Sequence, residues 1–148
     1  HSQEIDSNKS VRRSMLEVQG RYFNLEEVLA RTAERYFGGQ VDVSIGWGRA
    51  PNVRKRKGRF KTISRALATY SYNERIIRVS PILDAPDIPS YVIDWIVYHE
   101  ILHHVIPVKK SGSKHIYHSA QFRSLERGFE HFEKAKKWET ENIERILR

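Results

Sequence analysis

The sequence predicts a single α+β domain in which a small antiparallel sheet packs on helices. Short segments between residues 41 and 80 alternate apolar and polar side chains, as half-buried strands do. Segments with helical apolar spacing precede and follow them, and the order helix, strands, helix, helix favours an α+β architecture. At 148 residues the chain is long enough for one hydrophobic core and short for two.

The chain opens on a polar stretch that we separate from the domain. Residues 1–20 carry only a weak apolar pattern and are predicted as a loose or helical lead-in, in part derived from a tag, so the domain spans residues 21–148. Asn24 is the expected N-cap of the first helix, with Glu27 as its capping-box partner. Two glycines at positions 38 and 39 are expected to end this helix.

The middle of the chain is predicted to supply the strands. Residues 41–45 alternate strictly and predict a half-buried strand. Residues 59–72 are interpreted as a strand with an irregular middle, and residues 75–80 as a short strand. Residues 81–89 contain three prolines and are interpreted as a connection.

Two helices are predicted in the second half of the chain. The first runs from about Ser90 to Ile106, is apolar on most of its surface, and ends at Pro107. The stretch from residue 109 to 114 is polar and is expected to be a flexible loop. A long final helix is expected from about Ser119 onward. Its apolar face would carry Phe122, Leu125, Phe129 and Phe132.

Composition restricts the classes of function. The absence of cysteine excludes disulfides, thiolate zinc ribbons and cysteine nucleophiles, and it makes a cytoplasmic location the default expectation. No apolar run reaches the roughly 20 residues of a membrane-spanning helix, and the start lacks a signal pattern, so no membrane partner is expected. The net charge of +8 indicates either an anionic partner such as nucleic acid or a basic surface without a specific partner.

The most informative motif lies on the predicted buried helix. His99 and His103 are four residues apart, so on a helix their imidazoles project from one face, one turn apart, and can reach one Zn²⁺. Glu100 lies one step around the helix and can act as a general base that takes a proton from zinc-bound water. This spacing predicts a zinc-dependent metallopeptidase.

A catalytic zinc needs a third protein ligand, and the sequence offers several. His118 and His115 both precede the final helix and could fold back over the motif. Glu126 or Glu130 on that helix would give a glutamate ligand instead. His104 faces about 100° away from His103 on the helix and is a poor candidate. Spacing alone does not separate His115 from His118.

Five segments resemble a known family, namely residues 36–40, 56–59, 76–81, 91–98 and 118–122. Together with the motif, they are similar to the SprT-like zinc metallopeptidases, which are related to the WLM and Spartan-type domains. The resemblance spans about residues 22–135. It implies a zincin-like fold, bound Zn²⁺ and a protein or peptide substrate.

Residue by residue, the resemblance implies that His99, His103 and His118 are zinc ligands and that Glu100 is the general base. It favours His118 over His115, because the residues that follow His118 match the second histidine element of the family. Two departures stand out. The loop between the two histidine elements is longer than in compact bacterial relatives, and the cysteine zinc ribbon of some members is absent.

A basic segment precedes the middle strand and contains Arg54, Lys55, Arg56 and Lys57. One interpretation is an edge that binds nucleic acid and recruits DNA-associated protein substrates, as the Spartan-type resemblance implies. The other is a solvated hairpin whose charges protect a strand edge. The alternative for the whole chain is a nucleic-acid-binding module with a structural zinc and no peptidase activity.

Overall fold

The computed structural model describes residues 16–49 and 67–147. The predicted basic segment at residues 54–57, and the part of the predicted middle strand before residue 67, lie outside the described residues. The described elements comprise helices and short strands. They are α1 (Leu25–Tyr36), β1 (Ser44–Trp47), β2 (Ala68–Ser71), β3 (Ile76–Val79), a short 3-10 helix (Pro81–Leu83), α2 (Ser90–Val105), β4 (Lys109–Ser111), β5 (Lys114–Ile116), α3 (Ala120–Arg127) and α4 (Phe132–Leu147).

The main sheet has three strands in the order β1-β3-β2. Ile77 in the central strand pairs with Ile45 of β1 in the parallel sense and with Tyr70 of β2 in the antiparallel sense. The α+β class is therefore confirmed, but the prediction of an antiparallel sheet is wrong, since the sheet is mixed. The tight turn between β2 and β3 imposes an antiparallel pair, whereas the long connection from β1 permits the parallel one.

The first helix follows the sequence signals closely. Asn24 caps it, and its side-chain oxygen accepts a hydrogen bond from the backbone N–H of Glu27 at 3.1 Å. Gly38 and Gly39 follow the helix with φ of 76° and 93°, which glycine adopts without a steric penalty. The first strand begins later than expected, at Ser44 rather than residue 41, because its pairing with β3 fixes its limits.

Residues 1–15 of the predicted lead-in lie outside the described residues, and the segment directly before α1 contacts the rest of the domain at Asp84, just after the 3-10 helix. Its carboxylate accepts hydrogen bonds from three consecutive backbone N–H groups, those of Arg21, Tyr22 and Phe23, at 2.7–3.2 Å. Gly20 lies so close that an added Cβ would approach the carboxylate to 2.5 Å. Trp47 of β1 adds two bonds, from its backbone N–H to the carbonyl of Glu17 at 2.9 Å and from its Nε1 to the carbonyl of Val18 at 3.1 Å, so the segment before α1 is held to the domain at two places.

The helix α2 forms the centre of the core. It contacts α1, α3 and α4 as well as β2 and β3, and it is buried on most of its surface because apolar residues occupy nearly every face. Trp95 packs against the rings of Phe129 and Phe132, and its Nε1 donates to Glu139 at 2.6 Å. Burial raises the pKa of Glu139, and nearby Lys136 opposes this shift in part.

Two expectations for the second half of the chain are wrong. Residues 109–114, expected as a flexible loop, belong to an exposed antiparallel hairpin of β4 and β5 that turns at Gly112, where φ is +64°. The predicted long final helix is two helices, because α3 is capped at Gly128 and α4 begins at Phe132. In the described part of the chain, no helix combines the length and apolarity needed to cross a membrane.

Candidate metal centre

Three histidines converge where α2 meets the start of α3. His99 and His103 come from successive turns of α2, and His118 follows β5. One side-chain nitrogen from each histidine lies within 4.8 Å of the others, and the Nε2 atoms of His103 and His118 are 3.2 Å apart. Ligands of a tetrahedral zinc with bonds of 2.0–2.1 Å are separated by about 3.3 Å. The group therefore has the dimensions of a metal site.

Apolar packing holds the three imidazoles in place. Phe122, which is fully buried, packs against all three, with ring centroids 5.1, 4.6 and 4.9 Å from those of His99, His103 and His118. Phe122 is fixed by the start of α3, where the Ser119 side chain accepts from its backbone N–H at 3.3 Å. The capping residue directly after His118 thus sets both the helix start and the ring that supports the cluster.

Two of the imidazoles are also oriented by polar groups on their outer side. Nδ1 of His99 lies 3.0 Å from Oε2 of Glu126, and Nδ1 of His103 lies 3.1 Å from the hydroxyl of Tyr72. When Nδ1 carries the proton for these contacts, Nε2 carries the free lone pair that a metal ligand needs. The Nε2 atom of His99 is buried and has no hydrogen-bond partner in the described part of the chain, as expected of an atom that binds a metal.

Glu126 was one of the candidate ligands from sequence, but it lies behind His99 rather than among the three nitrogens. Burial acts to raise its pKa, but the hydrogen bond from His99 and the nearby charge of Arg123 outweigh that effect and lower it. An ionised carboxylate behind a histidine is a common outer partner of zinc sites, because it fixes the tautomer and raises the basicity of the ligand.

The environment keeps His103 neutral and surrounds Glu100 with apolar groups. Burial lowers the pKa of His103 to about 3, and the neighbouring His99 and His118 add to the shift. Neutral imidazole is the form that binds a metal. Glu100 is 2 % exposed, and burial raises its pKa to about 7, although His99 opposes this. Its carboxyl is thus poised to exchange a proton near neutral pH.

The remaining candidate ligands lie elsewhere. His115 is on the exposed strand β5, where it pairs with Lys110. Glu130 is exposed and forms an ion pair with Arg35. His104 turns away from the cluster, as expected, and its Nδ1 lies 2.6 Å from the hydroxyl of Tyr70. None of these three belongs to the metal-sized group found among the described residues.

Sequence reasoning missed the outer partners of the histidines. Tyr72 lies just beyond β2 and reaches His103 only because β2 packs beside α2, so its role has no local sequence signal. The sequence indicated that Glu126 could belong to the site, but it did not indicate that this residue lies behind His99 rather than among the ligands.

The chain was compared with protein-family models, with curated proteins and with solved structures, and none of these comparisons finds a match. The resemblance to SprT-like peptidases therefore stays a prediction from sequence. The geometry of the site carries the functional argument.

Proposed function

We propose that this chain is a zinc-dependent metallopeptidase with a zincin-like, SprT-like catalytic domain. The observation that carries the proposal is the convergence of His99, His103 and His118 beside Glu100 on a buried helix. Two imidazoles are held from behind by polar partners, and the unpartnered Nε2 of His99 supports a metal between them. A purely structural site would have no need of a buried carboxyl next to two ligands.

Each residue of the site has a distinct role in this proposal. His99, His103 and His118 would hold the Zn²⁺, which when bound polarises a carbonyl and lowers the pKa of water. Glu100 accepts a proton from the attacking water and donates it to the nitrogen of the departing amine. The apolar surroundings of Glu100 keep bulk water away, which strengthens its interaction with the reacting groups.

The sheet suggests where a polypeptide substrate would lie. In the described part of the chain β2 is an edge strand, and it runs beside α2 with Tyr70 near His104 and Tyr72 near His103. An extended peptide can add to such an edge through backbone hydrogen bonds, with its side chains in flanking pockets. This arrangement would bring a peptide bond past the three histidines.

The test combines metal analysis with a cleavage assay. We expect one zinc per purified chain and cleavage of an unfolded protein substrate, followed by mass spectrometry of the products. The Glu100→Gln variant should keep its zinc and lose cleavage by at least about a hundredfold, the lower end of what a general base contributes. A matched Glu130→Gln variant should cleave like the unaltered chain.

Two results would overturn the proposal. Cleavage by the Glu100→Gln variant at the unaltered rate would show that Glu100 is not the base. A zinc-loaded chain that cleaves no polypeptide, but binds DNA in a salt-dependent manner lost on charge reversal at residues 54–57, would favour the alternative nucleic-acid-binding module.

A further inference from the structure

The chain that joins two of the three histidines contains no carboxylate. Between Glu100 and Glu126 there is no Asp or Glu, whereas Lys109, Lys110, Lys114 and Arg123 all fall in this stretch. It forms the end of α2, the β4–β5 hairpin and most of α3, and it contains two of the three histidines of the candidate metal centre. This stretch therefore carries a net positive charge.

Among residues 16–49 and 67–147, the hairpin presents a cation that has no carboxylate partner. In the described part of the chain, eight ion pairs join Lys or Arg to carboxylates, and none includes Lys110, although all residues of β4 and β5 are exposed. An exposed lysine at a strand edge also guards against aggregation, which requires only that it be charged. The position of Lys110 relative to the candidate metal centre distinguishes a role in binding a ligand from a role in protecting the strand edge.

One face of the hairpin leads directly to the metal centre. Lys110 lies opposite His115, so both side chains are on the same face. The ring of His115 stacks at 6.2 Å on that of Tyr117, which lies 5.9 Å from Tyr72, and Tyr72 contacts His103. We call Lys110, His115 and Tyr117 the inner hairpin face. Lys109 is on the opposite face.

Distances along the chain place this face within reach of a bound substrate. His115 is three residues from His118, which allows at most about 10 Å, and the cross-strand pair adds about 5 Å to reach Lys110. An extended peptide advances about 3.3 Å per residue. Three to five residues of an extended substrate therefore span a distance of the same order as that between the histidines and Lys110.

Resting on the proposed function, we propose that the inner hairpin face selects polypeptide substrates with an acidic residue three to five positions from the scissile bond. Lys110 pairs with the substrate carboxylate, and Tyr117 contacts the adjoining part of the chain. A polypeptide fits better than a nucleic acid, because a single lysine on this face neutralises one phosphate, far fewer than the 6–10 contacts typical of DNA-binding proteins.

The test uses peptides that share one neutral core and differ only at positions three to five, on either side of the scissile bond, as Glu, Gln or Lys. At low salt the zinc-loaded chain should show a kcat/KM about fivefold higher for the Glu than for the Lys peptide, on the scale of exposed charge pairs. Lys110→Glu should reverse this preference for the Glu peptide, and Lys110→Gln should abolish it. In the unaltered chain, 0.5 M NaCl should weaken the preference.

Lys109→Glu is the matched control, because it makes the same change of charge on the opposite face and should keep the preference of the unaltered chain. Peptide binding to the zinc-loaded Glu100→Gln variant, followed by fluorescence anisotropy, tests the preference without cleavage. If no peptide is cleaved but the Glu peptide binds more tightly through Lys110, the proposed function fails, and what stands of the inference is that the inner hairpin face binds acidic polypeptides.

Three results would overturn the inference. The preference for the Glu peptide could be absent from both cleavage and binding. Lys109→Glu could also change the preference as strongly as Lys110→Glu does, which would indicate that the preference depends only on the net charge of the chain. The Lys110→Glu variant could also lose binding to a single-stranded oligonucleotide while its peptide preference stays unchanged. That result would assign the face to nucleic acid.

Discussion

The hydrogen bond behind His99 gives the sharpest test of the metal centre. Glu126 is 4 % exposed, its Oε2 lies 3.0 Å from Nδ1 of His99, and its Oε1 lies 3.4 Å from Arg123. Glu126→Gln keeps the size of the side chain and an oxygen that can accept from His99, but it removes the negative charge. The histidine thereby loses the partner that raises its basicity and holds its tautomer.

The size of the effect follows from what outer partners contribute in other zinc sites. Their removal typically lowers metal affinity 10–100-fold, which corresponds to about 1.4–2.7 kcal/mol. We expect zinc affinity, measured by competition with a chromophoric chelator, to fall within this range in Glu126→Gln. Circular dichroism of the metal-free variant should remain that of the unaltered chain, which separates a loss of ligand orientation from a loss of fold.

Glu130→Gln provides the matched control, since it removes the same charge four residues later from a side chain that is exposed and paired with Arg35. It should bind zinc as the unaltered chain does. An unchanged affinity in Glu126→Gln would refute the orienting role of Glu126. A loss in Glu130→Gln alone would mean that the metal is held by a glutamate ligand that the geometry does not bring to the cluster.

Three further predictions concern the third ligand, the lead-in and the core. His118→Ala should lower zinc affinity at least a hundredfold, whereas His115→Ala should leave it unchanged, and the same chelator assay compares them. Asp84→Ala should lower the free energy of unfolding by about 2 kcal/mol, or about 4–8 °C in Tm, through lost hydrogen bonds to a charged acceptor. A change below 1 °C would contradict that role of Asp84. Because the pKa of Glu139 is raised in the folded protein, the stability that this residue contributes is present below the pKa it has in the unfolded chain. That contribution is lost as the pH rises through the pKa it has in the folded protein. The stability of Glu139→Gln relative to the unaltered chain should therefore increase as pH rises above about 4.5, because the amide can still accept from Trp95 without ionising. Thermal melts of both proteins across pH 4–8 measure this difference, and parallel curves would contradict it.

The parts of the fold that the sequence predicts well are those with a local physical cause. Asn24 caps α1 through a contact three residues away, and the helix ends at glycines with positive φ. The burial of α2 follows from apolar residues on all its faces. The parallel pairing of β1 with β3 has no such local cause, because it depends on how a long connection returns the chain to the sheet.

The hairpin of β4 and β5 shows why a polar composition is not enough to predict a loop. Its strands carry Lys, Ser and His, and all their residues are exposed, so no apolar alternation indicates them. The usable signal was the small-residue turn at Gly112, whose positive φ suits a tight hairpin. The break between α3 and α4 likewise carried a glycine at position 128, at the point where the sequence was interpreted as one continuous helix.

The candidate site likewise has one part that the sequence predicts and one part that depends on tertiary packing. The spacing of His99 and His103 is enough to place two imidazoles on one helix face, and the structure brings His118 to them. The outer partners depend on tertiary packing, because Glu126 and Tyr72 reach the histidines from α3 and from the end of β2. A sequence pattern can therefore identify candidate metal ligands before it can identify which residues hold them in place.

The three histidines of the candidate site lie in segments that are packed to different extents. His99 and His103 belong to a helix that is packed on all sides, so their positions are set by the core. His118 follows an exposed hairpin, and its contacts include those with His99, with His103 and with the ring of Phe122. Segments with few buried contacts are the ones that open most readily. A metal held by all three residues would therefore order the hairpin side more than α2, and this is the side where we propose that the inner hairpin face meets a substrate.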